Sequence, residues 1–337
     1  LNNLQGLNSL TSVGGDFTIR YNNNLNYTGN SSSITQVNNL YIYNNPSLYN
    51  IDIFQSLTSI GDVYIGGNNA LQNLNGLSGL TNVGGELMIY DNVLITNLDS
   101  FANIESVGGG LSISGNVLLE DIDGLSNLTT IGDGLFIAGN TLIENLNALS
   151  NLENFEGYIS LIENLNLSDI SGLANIDHTT IYDIEIVYNP LLSICNLENC
   201  CIYFADFNNS RDVSGNAEGC ENIFDVYEAC DIEAPLCPLE TIDFYSQEDI
   251  DNFASLYPNC TELPFSLYLE GEDITNLSAF SNLTSIYGSI YIIETGLQNL
   301  DDLSGLTSID GEINIVNNLM LNSISGLNGI DPESIYY

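Results

Sequence analysis

LTNVGGELMIYDNVL, residues 80–94, decides the fold. Two further copies follow it, IESVGGGLSISGNVL at 104–118 and LTTIGDGLFIAGNTL at 128–142. The shared frame holds Leu80, Val83, Leu87, Ile89, Asn92 and Leu94 in the first copy. It holds Ile104, Val107, Leu111, Ile113, Asn116 and Leu118 in the second, and Leu128, Ile131, Leu135, Ile137, Asn140 and Leu142 in the third. Asn92, Asn116 and Asn140 stand 24 apart (116 − 92 and 140 − 116). A fixed period of this size predicts a solenoid, in which each coil buries its apolar edge against its neighbours. Leu87-x-Ile89 alternates with period two, so these residues face inward on a strand and Met88 faces outward. The expected class is mainly β, with stacked coils of 23–25 residues forming one parallel sheet.

The asparagine column extends from Asn22 through Asn45, Asn68, Asn92, Asn116, Asn140 and Asn164 to Asn189. An inward asparagine at a solenoid corner bonds backbone groups that no ladder satisfies, so the column reads as structural. Gly14-Gly15, Gly84-Gly85, Gly108-Gly109 and Gly132-Asp133 precede strands and read as turns needing permissive dihedrals. Residues 1–194 thus form a first array. The period ends after Asn189-Pro190, and 195–230 is a cysteine-rich cap with short helices expected at 197–207 and 221–229. Residues 231–236, with Pro235, read as a linker. Residues 237–264 form a second, helical cap, where Ser246-Gln-Glu-Asp249 resembles a capping box. Residues 265–337 resume the coils at Leu267-Leu269, Ile290-Ile292 and Ile313-Ile315, with Phe280, Leu303 and Leu327 in register. That second array is expected to be incomplete and uncapped, with a last partial coil near Ile335-Tyr337.

The charge balance is extreme: 44 acidic residues against two basic ones, Arg20 and Arg211, for a net charge of −42. Such a surface repels nucleic acid and anionic lipid. Cationic partners, neutral glycans and divalent metals stay allowed. No stretch approaches the roughly 20 apolar residues of a membrane span. The chain opens on Leu1 in mid-pattern, which reads as a piece of something longer or as a subunit that stacks end to end into a fibre.

The run GLxxLTxVGGxLxIxxN resembles the receptor L-domain class of leucine-rich repeats. Together with SQEDIDNFASLYPNCTEL at 246–263 and NPLLSIC…CIYFA…GC…VYEAC at 189–230, it resembles large secreted leucine-rich-repeat proteins of Bacteroidota. The resemblance implies a right-handed solenoid, export, and surface attachment or adhesion. Seven cysteines gathered in the caps argue for an oxidising, extracellular setting. Cys237 and Cys260 form the simplest pair. Cys195, Cys201, Cys220 and Cys230 match the family's cap, which implies two bridges with three connectivities open. Cys200 is left over, either as a buried free thiol or as an intermolecular bridge.

No P-loop, dinucleotide fingerprint, HExxH or GxSxG pattern is present, and no catalytic residue is assigned. His178 has no partner in the pattern and reads as structural. The outward strand positions run Thr18, Tyr41, Tyr64, Met88, Ser112, Phe136, Ser160 and Glu185, without acids on adjacent coils. A polysaccharide-active enzyme is therefore the weakest of the functional readings. The leading one is an extracellular adhesive or structural repeat protein. The alternative is a receptor-like module that binds glycan or protein through Tyr41, Tyr43, Tyr64, Met88, Tyr90 and Phe136, with Tyr268 and Tyr291 in the second array. β-propensity alone also favours tyrosine in strands. No cofactor is expected. The acidic runs at Glu120–Asp123, Glu270–Asp273 and Asp301-Asp302 could ligate calcium, but none matches a calcium motif.

Overall fold

A computed structural model describes residues 1–29, 34–238 and 241–332. The expected coil at 335–337 lies outside the described residues. The chain divides into two compact units, Leu1–Ile232 and Glu233–Tyr337. Each unit is a leucine-rich-repeat solenoid with its own parallel sheets.

Unit 1 carries one wholly parallel sheet of nine strands among the described residues: Phe17–Arg20, Leu40–Tyr43, Val63–Gly66, Leu87–Tyr90, Leu111–Ser114, Leu135–Ala138, Gly157–Ile162, Ile181–Val187 and Ser210–Ser214. A second parallel sheet is made of two-residue strands such as Asn82–Val83 and Ser106–Val107, and 3-10 turns such as Asp99–Phe101 close the coils. Within one coil, Leu87, Ile89, Ile95, Leu98, Phe101, Ile104 and Val107 are each 1% exposed or less. Each such side chain contributes about 1.5–3 kcal/mol relative to exposure. One part of the expected frame slips by a residue. Leu94 and Leu118 are 41% exposed, while Ile95 and Leu119 are fully buried. The turn after the asparagine takes an extra residue before the chain points inward again.

The asparagine column acts as read. Asn116 donates from Nδ2 to Ile89 O at 2.8 Å and to Ser114 O at 3.1 Å, while its Oδ1 accepts from Asn92 N at 3.0 Å. The column thus ties coils together, giving Asn92 N an acceptor and adding a second donor to carbonyls such as Ser114 O, which already accepts from Asp91 N. The glycine pairs do not act as expected, since none of Gly84, Gly85, Gly108, Gly109 and Gly132 has positive φ. They permit close stacking instead: a Cβ on Gly132 would lie 2.2 Å from Gly108 O, and one on Gly108 2.4 Å from Gly84 O. The left-handed position comes after the strand, at Tyr21, Asn44, Gly67, Asp91, Gly115, Gly139, Glu163, Tyr188 and Gly215.

The cap after Asn189 is less irregular than the sequence suggests. Helices α1 (Glu198–Ala205) and α2 (Ile223–Ala229) appear where helices are expected. Between them, however, Ser210–Ser214 adds a strand to the main sheet, and Asn216 Oδ1 accepts from Asn189 N at 2.9 Å, which extends the column. A second asparagine series enters the cap as well. Asn103, Asn127, Asn151 and Asn175 each donate to a carbonyl of the coil before, and Asn199 of α1 donates to Leu173 O and Ile176 O. Bridges Cys195–Cys220 and Cys201–Cys230 staple the cap, and Cys200 is buried and free. Asp231 and Ile232, expected in a linker, instead finish α2: Asp231 is left-handed and Ile232 N donates to Tyr227 O at 2.8 Å.

Unit 2 opens with helix α3 (Gln247–Leu256), capped by Ser246 Oγ, which accepts from Asp249 N at 3.2 Å. The expected helical cap also contributes strands: Asp243–Phe244 pairs with Leu267–Glu270, and Glu262–Leu263 starts the short sheet. Ile290–Ile293 and Ile313–Val316 follow in parallel, and Cys237 is bridged to Cys260. In the last of these strands Ile313 and Ile315 are only half-buried.

Candidate functional site

Strand register sets two outward columns on the main sheet of unit 1. One runs Thr18, Tyr41, Tyr64, Met88, Ser112, Phe136, Ser160, Glu185 and Asp212. The other begins Arg20, Tyr43, Gly66, Tyr90. Tyr41, Tyr43, Tyr64 and Tyr90 come together with Thr18, Arg20 and Asn22 around a recess of about 740 Å³. Met88 stands beside Tyr64 in register, but Phe136 is separated from it by Ser112 and does not join the recess. In unit 2, Tyr268 and Tyr291 pair in register with ring centroids 5.7 Å apart, and Tyr245 lies 6.0 Å from Tyr268.

The recess is built by exchange of large for small. A Cβ on Gly66 would fall 2.0 Å from Cζ of Tyr90, so the Tyr90 ring lies over a strand position that only glycine leaves open. Tyr41 and Tyr64 meet edge to face at 5.1 Å, and Tyr21 meets Tyr43 at 5.7 Å, the arrangement that ring quadrupoles favour. The hydroxyls are anchored too. Tyr41 donates to Asp62 Oδ2 at 3.1 Å, Tyr64 donates to Glu86, and Arg20 Nη1 donates to Tyr43 Oη at 2.9 Å. Hydrogen bonding to Glu86 raises the Tyr64 phenol, and burial followed by the bond to Asp62 raises Tyr41. Burial first, then the neighbouring Tyr43, raises Tyr90. These rings therefore stay neutral donors at any physiological pH. The hydrogen bond to Glu270 likewise pushes Tyr268 up to about 12.

Arg20, Gly66, Asp62 and Glu86 were missed in the sequence. Arg20 carries the clearest signal, as one of two cations lying at an outward strand position. Acids do meet on adjacent coils, against expectation: Glu185 and Asp212 are neighbours in register, because the cap supplies a strand whose period the sequence hides. Glu185 accepts from Ser160 Oγ at 2.6 Å and Asp212 from Ser214 Oγ at 3.0 Å. Among the described residues, no three His, Cys, Asp or Glu side chains converge on a metal-sized site. The acidic runs make backbone bonds instead: Asp121 accepts from Asp123 N, Asp273 from Gln247 N and Asp302 from Leu277 N. His178 lies 3.7 Å from Asp177. No helix among the described residues is long and apolar enough to cross a membrane.

Residues 1–110 and 35–166 match a family model described as BspA type leucine rich repeat region, in six copies. Among solved structures the chain is similar to an internalin (inlF) of Listeria monocytogenes, at 14% identity and a TM-score of 0.39. That alignment covers 94% of this chain and 87% of the internalin. No curated protein matches the chain.

Proposed function

We propose that this chain is an extracellular, non-enzymatic adhesive protein whose first unit binds its partner through the tyrosine recess. The observation that carries the reading is the gathering of Tyr41, Tyr43, Tyr64 and Tyr90 over adjacent strands, half-buried and facing outward. Repeat arrays bury their core continuously and so leave a rigid sheet face free for recognition. Tyrosines on such a face give broad contact area with few side-chain rotations to lose and a polar tip to orient the partner. Three bridges in the two caps fit an oxidising, extracellular compartment, as does the resemblance to secreted receptor L-domain-like repeats.

The test is the variant Tyr41→Ser/Tyr64→Ser/Tyr90→Ser, displayed on cells and offered surfaces coated with a panel of glycans and proteins. Adhesion is expected to drop by tenfold or more while circular dichroism and melting remain near those of the parent. A folded variant that adheres as well as the parent would sink the proposal.

A further inference from the structure

Arg20 is out of place in so acidic a chain, and its surroundings say what it is for. The other cation, Arg211, is consumed by the cap: its guanidinium donates to Asn209 O, Phe204 O, Asp206 O and Tyr227 Oη. Arg20 is exposed, and among the described residues its one partner is Tyr43 Oη, to which Nη1 donates. Among the described residues no carboxylate lies within 4.0 Å of it, in a chain with 44 acidic side chains available. A guanidinium kept for stability would have found one of them. This one is held by a phenol, which fixes its direction and leaves the rest of its fork of donors unspent.

The recess has three chemistries in a fixed order along the strands. Asp62 and Glu86 stand just before the strands Val63–Gly66 and Leu87–Tyr90 and accept the Tyr41 and Tyr64 hydroxyls, so this rim presents acceptors. Aromatic rings form the floor. Arg20 stands at the other end of its strand and presents donors and a positive charge that, among the described residues, has no carboxylate within 4.0 Å. A matching occupant offers hydroxyl donors at one end, a C–H face in the middle and a single anion at the other. The net charge of −42 repels polyanions, so the occupant carries its one negative charge on an otherwise neutral body.

We infer that the tyrosine recess takes an acidic sugar residue within a glycan, with its carboxylate on Arg20 and its ring against the tyrosines. This rests on the reading of the recess as a binding face. An acidic peptide supplies the anion, but its apolar side chains would meet a rim of carboxylates and hydroxyls, so the sugar is favoured.

The experiment measures binding of the full chain to matched pairs that differ by one charge: methyl galacturonoside against its methyl ester, and sialyllactose against lactose. In at least one pair the acid is expected to bind about tenfold tighter than the neutral form, the size of a charge-assisted hydrogen bond. Arg20→Gln should abolish the preference, so that the acid and the neutral form of that pair bind alike; Arg20 is exposed and supports no core, so the variant is expected to fold. Equal binding of acid and neutral forms by the parent, no binding of any acid, or an unaltered preference in Arg20→Gln each overturns the inference. If an acidic peptide or protein binds instead, and the triple tyrosine variant loses it, the sugar assignment falls and the binding face stands. If the folded triple variant retains all binding, the face itself falls.

Discussion

The two units solve the same problem of joining coil to coil with different materials. In unit 1 the position two residues past each strand is asparagine from Asn22 to Asn216, and most of these side chains bond the coil on either side. In unit 2 the same position holds Glu272, Thr295 and Asn318. Glu272 has no amide to donate and is exposed; Thr295 donates from N at 2.9 Å and from Oγ1 at 2.7 Å to Asn318 Oδ1. Only Asn318 reaches back to a strand carbonyl, Ile292 O, at 2.7 Å. Unit 2 compensates at its start, where Gln247 of α3 takes Thr275 N and Asn276 N on Oε1 and donates to Asn276 O. A long array can repeat one inward amide many times. Unit 2 draws part of that bonding from its cap.

The most damaging break in the first solution is Asn116→Ala. It leaves Asn92 N without an acceptor and takes the second donor from Ile89 O and Ser114 O, the latter keeping its bond from Asp91 N, all within a column that is fully buried from Asn45 to Asn189. At about 1–3 kcal/mol for the buried group left unpaired, with a smaller term for the two extra bonds lost at the carbonyls, a loss of roughly 3 kcal/mol is expected. Hydrogen exchange should show it as lost protection in the coils around 87–143, with unit 2 unaffected.

A second, smaller break uses pH. Unit 1 holds the free thiol of Cys200, which burial pushes up to about 12, whereas both cysteines of unit 2 are bridged. A folded-state pKa above the unfolded value gives stability that is complete below about 9 and is lost as pH rises toward about 12. Unit 1 should therefore lose exchange protection over that window more steeply than unit 2. Cys200→Ala should flatten the loss without raising stability at pH 7. An identical alkaline profile for parent and Cys200→Ala would refute the assignment.

The period, the inward residues of the strands and the asparagine column were all legible, because each reports on a burial pattern repeated many times over. What stayed hidden depends on the neighbouring coil. The glycine pairs look like turn residues in one dimension; only stacking shows that a Cβ on Gly132 meets the backbone of the coil before. The cap strand Ser210–Ser214 has no apolar alternation to announce it, yet Asn103, Asn127, Asn151, Asn175 and Asn199 are each 24 apart and carry the period into α1. The recess was half legible. Outward tyrosines follow from alternation, but the placing of Tyr90 over Gly66 and the lack, among the described residues, of a carboxylate within 4.0 Å of Arg20 are properties of register between coils.

The mildest change rebuilds the missing column rather than breaking it. Thr295 is 4% exposed and already turns its backbone N toward Asn318, so Thr295→Asn places an amide where unit 1 has one. Its Nδ2 is expected to reach Leu269 O, as Asn318 reaches Ile292 O one coil later, while its Oδ1 is left for the coil before. One new buried hydrogen bond contributes about 1 kcal/mol net. The larger side chain partly offsets this if the coil has no room for it. The expected result is a gain of up to about 1 kcal/mol in unit 2, read by hydrogen exchange over 267–297. A loss instead would mean that the coils of unit 2 are spaced for threonine, and that its different column is a fitted alternative rather than a gap in the asparagine one.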